Sequence, residues 1–479
     1  MLNRFYLSLL LISGIVLGAF LLFVGYREIS PEWKQYQVEY KNNLIKNAKD
    51  DATRERAKEV AIEIRQIYLG KLKRVDRCTT CHLGIENPLM ADADQPFSSH
   101  SGDYLKNHPL DKFGCTTCHH GQGRALTKKE AHGLGHKTHW DDPIIPTKYI
   151  QSSCAQCHDY KTLEQKGVNN IVKGRNLFQE KGCRGCHKLN KVGGDLGKPL
   201  DGIGSQPIAY FPMKHVTGEK TIYSWIKQHF DDPRKIVPES QMRAFLTEEE
   251  ADLITTYILT LRAEEPPREY RRFMHMPEVK TDGESLYKKY CIACHATGKI
   301  SVYDEILKRT IPAIKNPAFL KAADDNFLRN VIKEGRTGTQ MTAWKISAAG
   351  LSDAEINKII NYLSIDRPEE KPERFGFADF TGNVERGKKL YEIRCTFCHG
   401  KDGKGGEGLL GINLINPVVQ SADPEFLAIT VRDGRAGTPM AAFGKKNGLG
   451  LEDQDIADLI TYVKTLSQKK ENLSNDYKD

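Results

Sequence analysis

Residues 387–399 read GKKLYEIRCTFCH, a stretch that ends in a Cys-x-x-Cys-His motif preceded by a glycine and a leucine–tyrosine pair. Two thiols at this spacing add to the two vinyl groups of one haem, and the adjoining histidine then lies under the iron as its proximal ligand. A zinc ribbon or a disulfide framework does not require a histidine after every second cysteine. The motif therefore predicts a covalently bound haem c.

All 12 cysteines of the 479-residue chain fall into six copies of this motif, with none left over. The copies comprise Cys78, Cys81 and His82; Cys115, Cys118 and His119; Cys154, Cys157 and His158; Cys183, Cys186 and His187; Cys291, Cys294 and His295; and Cys395, Cys398 and His399. We therefore expect six haem c groups, each with one proximal histidine on its iron. Haem attachment requires export, so the haem-binding part is expected on the oxidising side of a membrane.

The last three motifs belong to an internal triplication. Each copy opens with a glycine: Gly174, Gly283 and Gly387 in chain order. Each copy also contains the sequence Met-x-Ala-aromatic downstream of its haem motif. The methionines of that second element are Met242, Met341 and Met440. A methionine is more often a packing residue than a ligand, but its recurrence in one context predicts an iron ligand in each copy.

Each copy then closes with a helical pattern that has its own start signal. Thr247 with Glu250 and Ser352 with Glu355 fit a capping box, whereas the third copy has Glu452 in place of the hydroxyl residue. Apolar residues recur at helical spacing after these positions. Each copy is therefore expected to begin and end with a helix.

This joint pattern resembles class I cytochrome c over roughly residues 170 to 468. The resemblance implies three small helical domains, at 166–265, 278–366 and 380–470, each with a methionine as distal ligand on a later loop. Residues 335–341 and 434–440 read GRTGTQM and GRAGTPM, but the first copy departs with VPESQM at 237–242. The methionine is nevertheless retained there.

The first three motifs lie within 30–165, too close together for one independent core per haem. This loop-rich trihaem region contains one methionine, Met90, and six histidines outside the motifs: His100, His108, His120, His132, His136 and His139. Because histidines outnumber methionines six to one here, we expect two histidine ligands on each of the first three irons. We draw the distal ligands from His100, His108, His132 and His139. His120 directly follows a proximal ligand and is poorly placed to reach across its own haem.

The amino terminus has the length and composition of a membrane anchor. Residues 5–26 contain no charge, and about 20 apolar residues suffice to cross a bilayer. A cleaved signal peptide, the alternative, has a shorter apolar core and a small-x-small site, whereas residues 20–26 are bulky. We expect an anchor at 1–29 that crosses a bacterial inner membrane once, with the haem domains on the periplasmic side.

The polar stretch 27–77 follows the anchor and opens with Ser30-Pro31. It predicts a helix that rises to the first haem motif, or a solvated charged linker over its first half. The expected fold class is mainly α: a transmembrane helix, a loop-rich trihaem region and three small helical class I cytochrome c domains.

Residues 75–82 and 113–115, which read VDRCTTCH and FGC, resemble the anchored multihaem cytochromes that accompany cytochrome b and Rieske-type quinol oxidoreductases. The resemblance implies a subunit that passes quinol electrons onward to a periplasmic acceptor, such as a soluble cytochrome c or a terminal oxidase. Methionine ligation raises a haem potential relative to bis-histidine ligation. Electrons are therefore expected to enter near the membrane and leave through the carboxy-terminal domains. Reverse flow is the alternative, because haem potentials also depend on burial and hydrogen bonds.

A multihaem redox enzyme is the main alternative to an electron carrier, whereas six redox centres argue against a purely structural partner module. A multihaem reductase or peroxidase would need one haem open to substrate, and the loose assignment of distal histidines leaves that alternative open. The formal charge of +8 does not indicate nucleic-acid binding, because haem propionates would offset much of it and no nucleic-acid motif occurs. We therefore expect an electron carrier rather than an enzyme.

Overall fold

The computed structural model describes residues 2–134, 142–272, 281–336, 339–405, 409–446 and 448–466. These residues are mainly helical, with two short antiparallel sheets of two strands each, and the expected mainly α fold class is confirmed. The chain divides into two compact units. The first unit comprises Met1–Leu163, Ser205–Trp225 and Glu264–Met274, and the second comprises Glu164–Gly204, Ile226–Ala263 and His275–Asp479.

The first helix, α1 (Leu2–Ile29), contains the predicted anchor. Its segment Arg4–Tyr26 is long and apolar enough to cross a membrane, with a mean hydropathy of 2.7 and no part of the most apolar stretch buried by protein. Large apolar side chains such as Leu10 and Leu22 face outward along it. A bilayer would supply the apolar surroundings that the protein does not.

The stretch after the anchor begins with a helix, as expected, but the helix does not continue to the first haem motif. It contains α2 (Glu32–Lys46), α3 (Asp51–Lys58) and the hairpin strands β1 (Ile67–Leu69) and β2 (Arg74–Asp76). Helix α2 ends at Lys46 with Asn47 as its C-cap, and the Asp50 carboxylate caps the start of α3 by accepting a hydrogen bond of 2.6 Å from the Thr53 amide. The single-helix prediction was wrong because these local caps interrupt the helix.

The rest of the trihaem region has little regular structure of its own. Its helices have four to six residues each: α4 (Tyr104–Asn107), α5 (Leu110–Phe113), α6 (Thr116–His119), α7 (Lys128–His132), α8 (Gln151–Cys154) and α9 (Tyr160–Gln165). A small core cluster joins Tyr40, Leu83, Met90 and Phe97. Met90 is therefore a packing residue.

The remaining helices and the second hairpin make up the triplicated region and its linkers. They are α10 (Asn169–Glu180), α11 (Ile222–Asp231), α12 (Pro233–Ile236), α13 (Glu248–Ile258), α14 (Gly283–Tyr290), α15 (Ile292–His295), β3 (Val302–Asp304), β4 (Arg309–Ile311), α16 (Pro317–Ala322), α17 (Asp325–Glu334), α18 (Asp353–Leu363), α19 (Val384–Arg394), α20 (Thr396–His399), α21 (Pro417–Ser421), α22 (Pro424–Asp433) and α23 (Asp453–Thr465). In each copy the helix before the haem motif packs on the last helix, so that α10 contacts α13, α14 contacts α18 and α19 contacts α23.

The repeated glycines lie where these helix pairs cross. A Cβ on Gly174, Gly283 or Gly387 would lie 2.0 Å from the carbonyl oxygen of Leu253, Lys358 or Asp458, respectively. Only glycine permits so close an approach of two backbones. The repeated aromatic residues meet beside the crossing, as Phe178 with Tyr257, Tyr287 with Tyr362 and Tyr391 with Tyr462, with ring centroids 5.0, 5.4 and 5.4 Å apart.

The predicted start signals of the closing helices are also found. Both capping boxes are formed, at Thr247 with Glu250 and at Ser352 with Glu355. In the third copy the Glu452 amide donates to the Asp455 carboxylate at 3.2 Å. Asp455 therefore takes the place that a glutamate has in the other two capping boxes. The same helix start is therefore retained with different side chains.

Candidate haem sites

The six Cys-x-x-Cys-His motifs share one local structure, and we number the corresponding haem sites 1 to 6 in chain order. In every motif the histidine amide donates to the carbonyl oxygen of the first cysteine, at 2.9 to 3.0 Å. This single helical turn brings both cysteines and the histidine to one side of the backbone. All 12 cysteines have intermediate burial, and none of them forms a disulfide bond in the described residues. Each turn can therefore present two thiols and one imidazole to one face of a haem.

Three of the predicted distal histidines face proximal histidines in the first unit. The pairs, with the distance between ring centroids, are His82 with His132 at 6.4 Å, His119 with His100 at 6.1 Å and His158 with His108 at 6.0 Å. A bond between a metal and an imidazole nitrogen is about 2 Å long. Two such bonds on opposite sides of one metal, plus two ring radii, place the centroids about 6 Å apart. Each pair has the separation that an iron between the rings requires.

Hydrogen bonds and burial favour the neutral, ligating form of these rings. Nδ1 of His100 lies 2.8 Å from the Ser101 carbonyl oxygen, and Nδ1 of His108 lies 3.1 Å from that of Tyr104. A nitrogen facing a carbonyl must carry the proton, which leaves Nε2 available to a metal. Burial, followed by the charge of the facing imidazole, lowers the pKa of the proximal histidines His82, His119 and His158.

The other histidines of this region differ. His120 is buried, with Nδ1 2.9 Å from the Asp142 carboxylate and Nε2 3.2 Å from the Ser153 hydroxyl. Both of its nitrogens are therefore engaged by protein. His139, which was among the predicted ligands, lies outside the described residues, as does His136.

The proximal histidines of the second unit are oriented by backbone carbonyls. Nδ1 lies 2.8 Å from the Lys198 oxygen in His187, 3.2 Å from the Pro312 oxygen in His295 and 2.9 Å from the Ile412 oxygen in His399. In sites 4 and 6 a glycine makes room for the ring. A Cβ on Gly197 would lie 2.3 Å from His187 Cε1, and one on Gly411 would lie 2.6 Å from His399 Nδ1. The imidazoles are thus held with Nε2 free.

The three repeated methionines occupy equivalent turns. The amide of each methionine donates to a hydroxyl two residues earlier: Met242 to Ser240 at 3.2 Å, Met341 to Thr339 at 3.1 Å and Met440 to Thr438 at 3.2 Å. In the last two copies the amides of Arg336 and Arg435 also donate to the Met341 and Met440 carbonyl oxygens, both at 2.8 Å. The divergent first copy retains the hydroxyl through a serine. All three loops therefore present the methionine from a similar local conformation.

One residue near the haem motifs was not singled out from the sequence as a site residue. Asp76 is fully buried, and its carboxylate accepts hydrogen bonds from the amides of Cys78 at 3.1 Å, Cys115 at 2.7 Å and Thr116 at 2.8 Å. Burial raises the pKa of Asp76, but the hydrogen bonds from Thr116 and Cys78 outweigh it, and the net pKa lies below its usual range. None of the other five motifs has a carboxylate two residues before its first cysteine, so no repeated pattern signalled this role.

These features together test whether the residues fit haem c. Cysteine pairs at the spacing that attaches one haem, motif imidazoles with Nε2 available, and facing imidazoles at about 6 Å fit a covalently attached, six-coordinate c-type haem. The fit is good at sites 1 to 3. At sites 4 to 6 the cysteines and the motif histidines fit equally well, and the methionine of each copy remains the predicted distal ligand.

Family models match the triplicated region. The model for cytochrome c matches residues 171–262 and 384–467, and the model for cytochrome c oxidase, cbb3-type, subunit III matches residues 278–363. All three matches contain one Cys-x-x-Cys-His motif and one of the repeated methionines.

Curated relatives give a consistent result. The cbb3-type cytochrome c oxidase subunit CcoP of Azospirillum sp. (strain B510) is 27% identical over 206 residues, which is 39% of this chain and 62% of that protein. The chain thus spans about three fifths of the length of such relatives. Cytochrome c-554(547) of Halothiobacillus neapolitanus is 30% identical over 90 residues, 18% of this chain and 98% of that protein.

Among solved structures, a chain of the Kuenenia stuttgartiensis reducing HAO-like protein complex aligns with 40% of this chain and 99% of its own length, at 22% identity. Its TM-score of 0.27 is too low for a structural inference. The motifs, the packed helix pairs and the near-complete match to a small cytochrome c agree with one another. The chain therefore belongs to the c-type cytochromes, as a multihaem member that binds haem c covalently and transfers electrons.

Proposed function

We propose that this protein is a membrane-anchored hexahaem electron carrier, and that it passes electrons from a quinol-oxidising cytochrome b/Rieske complex to a periplasmic acceptor. The observation that carries the proposal is the facing of three imidazole pairs at about 6 Å in the first unit. An iron with two imidazole ligands has no position left for a substrate. Such a haem exchanges electrons and does no chemistry on a bound molecule.

The proposal assigns an axial pair to each of six irons. These are His82 and His132, His119 and His100, His158 and His108, His187 and Met242, His295 and Met341, and His399 and Met440. The first three pairs rest on the ring distances, and the last three on the equivalent methionine turns. No iron in this scheme needs His139, which becomes a spare residue.

The two kinds of ligation divide the chain into two groups of haems. Thioether sulfur stabilises ferrous iron more than a second imidazole does, so the domains proposed at 166–265, 278–366 and 380–470 hold the higher-potential haems. The trihaem region proposed at 30–165 follows the anchor and holds the lower-potential haems. Electron flow from the membrane-proximal haems to the carboxy-terminal haems is then downhill.

An exposed apolar surface at site 6 supports exit through the last domain. Phe397 lies between the two cysteines that attach haem 6 and is 84% exposed, and Ile393, in the preceding helix α19, is 74% exposed. An apolar surface beside a haem edge lets a partner approach closely and exclude water. We therefore propose that a periplasmic acceptor docks here, with the amino-terminal helix in a bacterial inner membrane and the haems on its periplasmic side.

The identity of the partners is the most specific part of the proposal. The donor follows from the resemblance of residues 75–82 and 113–115 to cytochromes that accompany cytochrome b and Rieske proteins. The relatives named as cbb3 oxidase subunits make a terminal oxidase one acceptor consistent with the match, alongside a soluble cytochrome c.

Purification of the native membrane assembly tests the partners. We expect cytochrome b and Rieske subunits to co-migrate with this chain, and a quinol to reduce its haems within that assembly. Intact-mass measurement of the denatured chain tests the cofactors in the same preparation, with six haem additions expected. Fewer additions would reject the hexahaem assignment, and other co-migrating subunits would reject only the named complex.

Carbon monoxide distinguishes the carrier from a reductase or peroxidase. Ferrous haems with two protein ligands do not bind carbon monoxide readily, whereas a substrate-accessible haem has an open position. The reduced native protein should therefore show no carbon monoxide difference spectrum. A stoichiometric spectrum for one haem would favour the enzyme.

A further inference from the structure

One buried carboxylate lies between the first two haem-attachment motifs. A carboxylate oxygen of Asp76 and the Sγ atoms of Cys78 and Cys115 all lie within 4.8 Å of one another. Because each Sγ attaches one edge of its haem, haems 1 and 2 must approach each other at this point. Asp76 is 0% exposed, so its charge is not screened by water.

We propose that Asp76 is a positioning residue shared by haems 1 and 2, which holds their attachment motifs together and lowers both reduction potentials with one buried negative charge. The inference requires haem at these two motifs. It does not depend on the direction of electron flow or on the identity of any partner.

The positioning role follows from the hydrogen bonds. Oδ1 accepts from the Cys78 amide, and Oδ2 accepts from the Cys115 and Thr116 amides, so one side chain fixes the start of both motifs. The Arg74 guanidinium donates to the Thr116 carbonyl oxygen at 2.7 Å and adds a second link between strand β2 and motif 2. Hydrogen bonds to a charged group are stronger than neutral ones.

The backbone around motif 2 is shaped to admit this carboxylate. Gly114 precedes the motif with a φ of +61°, and a Cβ at this position would lie 2.9 Å from Asp76 Oδ2 and 2.7 Å from a methyl carbon of Leu69. Glycine is thus required both by the backbone conformation and by the space.

The effect of Asp76 on the haem potentials follows from the burial of its carboxylate without a neighbouring cation. No lysine or arginine forms an ion pair with Asp76 among the residues that the structure describes. A charge in surroundings of low polarisability acts strongly over a few ångströms. Reduction adds an electron to a haem, and a nearby carboxylate opposes that addition. Both haems are attached within 4.8 Å of the carboxylate, so both should be affected.

Asp76→Asn in the full-length holoprotein tests the proposal by a spectropotentiometric titration. We expect the equilibrium constant for reduction to rise about tenfold or more at two haems, which is about 59 mV each for a one-electron couple. The other four potentials should not change. An asparagine of nearly the same shape removes the charge and offers only one acceptor oxygen.

Asp304→Asn is the control, because Asp304 is another buried aspartate that accepts hydrogen bonds from backbone amides, those of Ile306 at 2.9 Å and Leu307 at 3.0 Å. Unlike Asp76, it also forms an ion pair with Arg243. It lies in the second unit. This variant should leave the potentials of haems 1 and 2 unchanged. A shift of the same two potentials in both variants would overturn the proposal, because it would reveal a general effect of losing a buried carboxylate.

If the Asp76→Asn protein binds fewer than six haems, the motifs that lack haem test the proposal. Loss of haem only from motifs 1 and 2 would support the positioning role, and loss spread over all motifs would overturn it. If no holoprotein accumulates, the native protein decides by electron paramagnetic resonance. Haems attached this closely must broaden each other's ferric signals, and two narrow, independent signals would reject the juxtaposition. The proposal is also contradicted if the Asp76→Asn protein retains all six haems but only one reduction potential, or none, is shifted.

Discussion

The imidazole rings of His82 and His132 face each other with centroids 6.4 Å apart and with planes inclined by only 25°. The corresponding angles are 73° for His100 with His119 and 83° for His108 with His158. Parallel imidazoles donate into the same iron d orbital and separate two orbital energies, whereas crossed imidazoles leave them nearly equal. We expect one rhombic low-spin ferric signal from haem 1 and two highly anisotropic signals from haems 2 and 3.

Electron paramagnetic resonance during a redox titration checks this prediction, since reduced neighbours are diamagnetic and no longer broaden the signals. The three haems for which we propose methionine ligands provide an internal reference in the same sample. Three rhombic signals from the trihaem region would contradict the ring geometry.

A ligand change at haem 3 distinguishes His108 from the other spare histidines. His108→Ala should leave iron 3 with one axial ligand, and the protein should gain one high-spin haem that binds carbon monoxide. His120→Ala is the control, because both His120 nitrogens bond to protein groups. That variant should keep every haem low-spin. Optical spectra with carbon monoxide measure the outcome, and identical spectra for the two variants would reject the His108 assignment.

Replacement of Met341 tests the methionine ligands. Met341→His should remove one methionine-to-iron absorption component and lower one potential by on the order of 0.1 V, within the range that axial ligands control. Met90→Leu is the control, since Met90 packs in the core beside Tyr40 and Phe97. It should leave all six potentials in place. Retention of the full absorption band in Met341→His would show that this sulfur is not a ligand.

The helix crossing in the second repeat should not tolerate a methyl group. A Cβ at Gly283 would lie 2.0 Å from the Lys358 carbonyl oxygen, so Gly283→Ala must push α14 away from α18. We expect a loss of about 1–3 kcal/mol in the free energy of unfolding. Lys288→Ala, on the exposed face of the same helix, should cost less than about 1 kcal/mol. Urea denaturation of the holoproteins, followed at the Soret band, measures both, and equal midpoints would contradict the crossing.

The stability of the third repeat should depend on pH through Glu425. Its carboxylate accepts hydrogen bonds from the amides of Phe375 at 2.5 Å, Gly376 at 3.2 Å and Phe377 at 2.8 Å. Burial raises the pKa of Glu425, but the hydrogen bonds from Phe377 and Phe375 outweigh it, so the pKa in the folded protein lies below its usual range. The stabilisation is therefore complete above about pH 5 and lost as pH falls through the folded pKa.

Glu425→Gln should accordingly destabilise this region by about 1 kcal/mol at pH 7, because an amide offers one acceptor where the carboxylate offers two. The difference from the native protein should shrink as pH falls below about 4. Glu392→Gln, at an exposed position of α19, should have little effect at either pH. Chemical denaturation at several pH values measures this, and a difference that persists at low pH would contradict the mechanism.

The sequence by itself determined the chemistry of each attachment site and the packing of each repeat. Two thiols and an imidazole must lie within one turn to hold a haem, so Cys395, Cys398 and His399 are recognisable without any fold. The repeated Gly387 and Tyr391 were equally visible, because two helices that cross closely need the same small and large residues in every copy. These constraints are local, and local constraints appear as motifs.

Only the tertiary structure decided which histidine faces which motif. His132 lies downstream of its partner His82, whereas His100 and His108 lie upstream of His119 and His158. The entropy of loop closure changes slowly with loop length, so spacing along the chain does not discriminate among these pairings. The link between Asp76 and Cys115 joins residues 39 positions apart and was equally hidden. Such contacts depend on how short helices and loops pack around one another, and no periodicity records them.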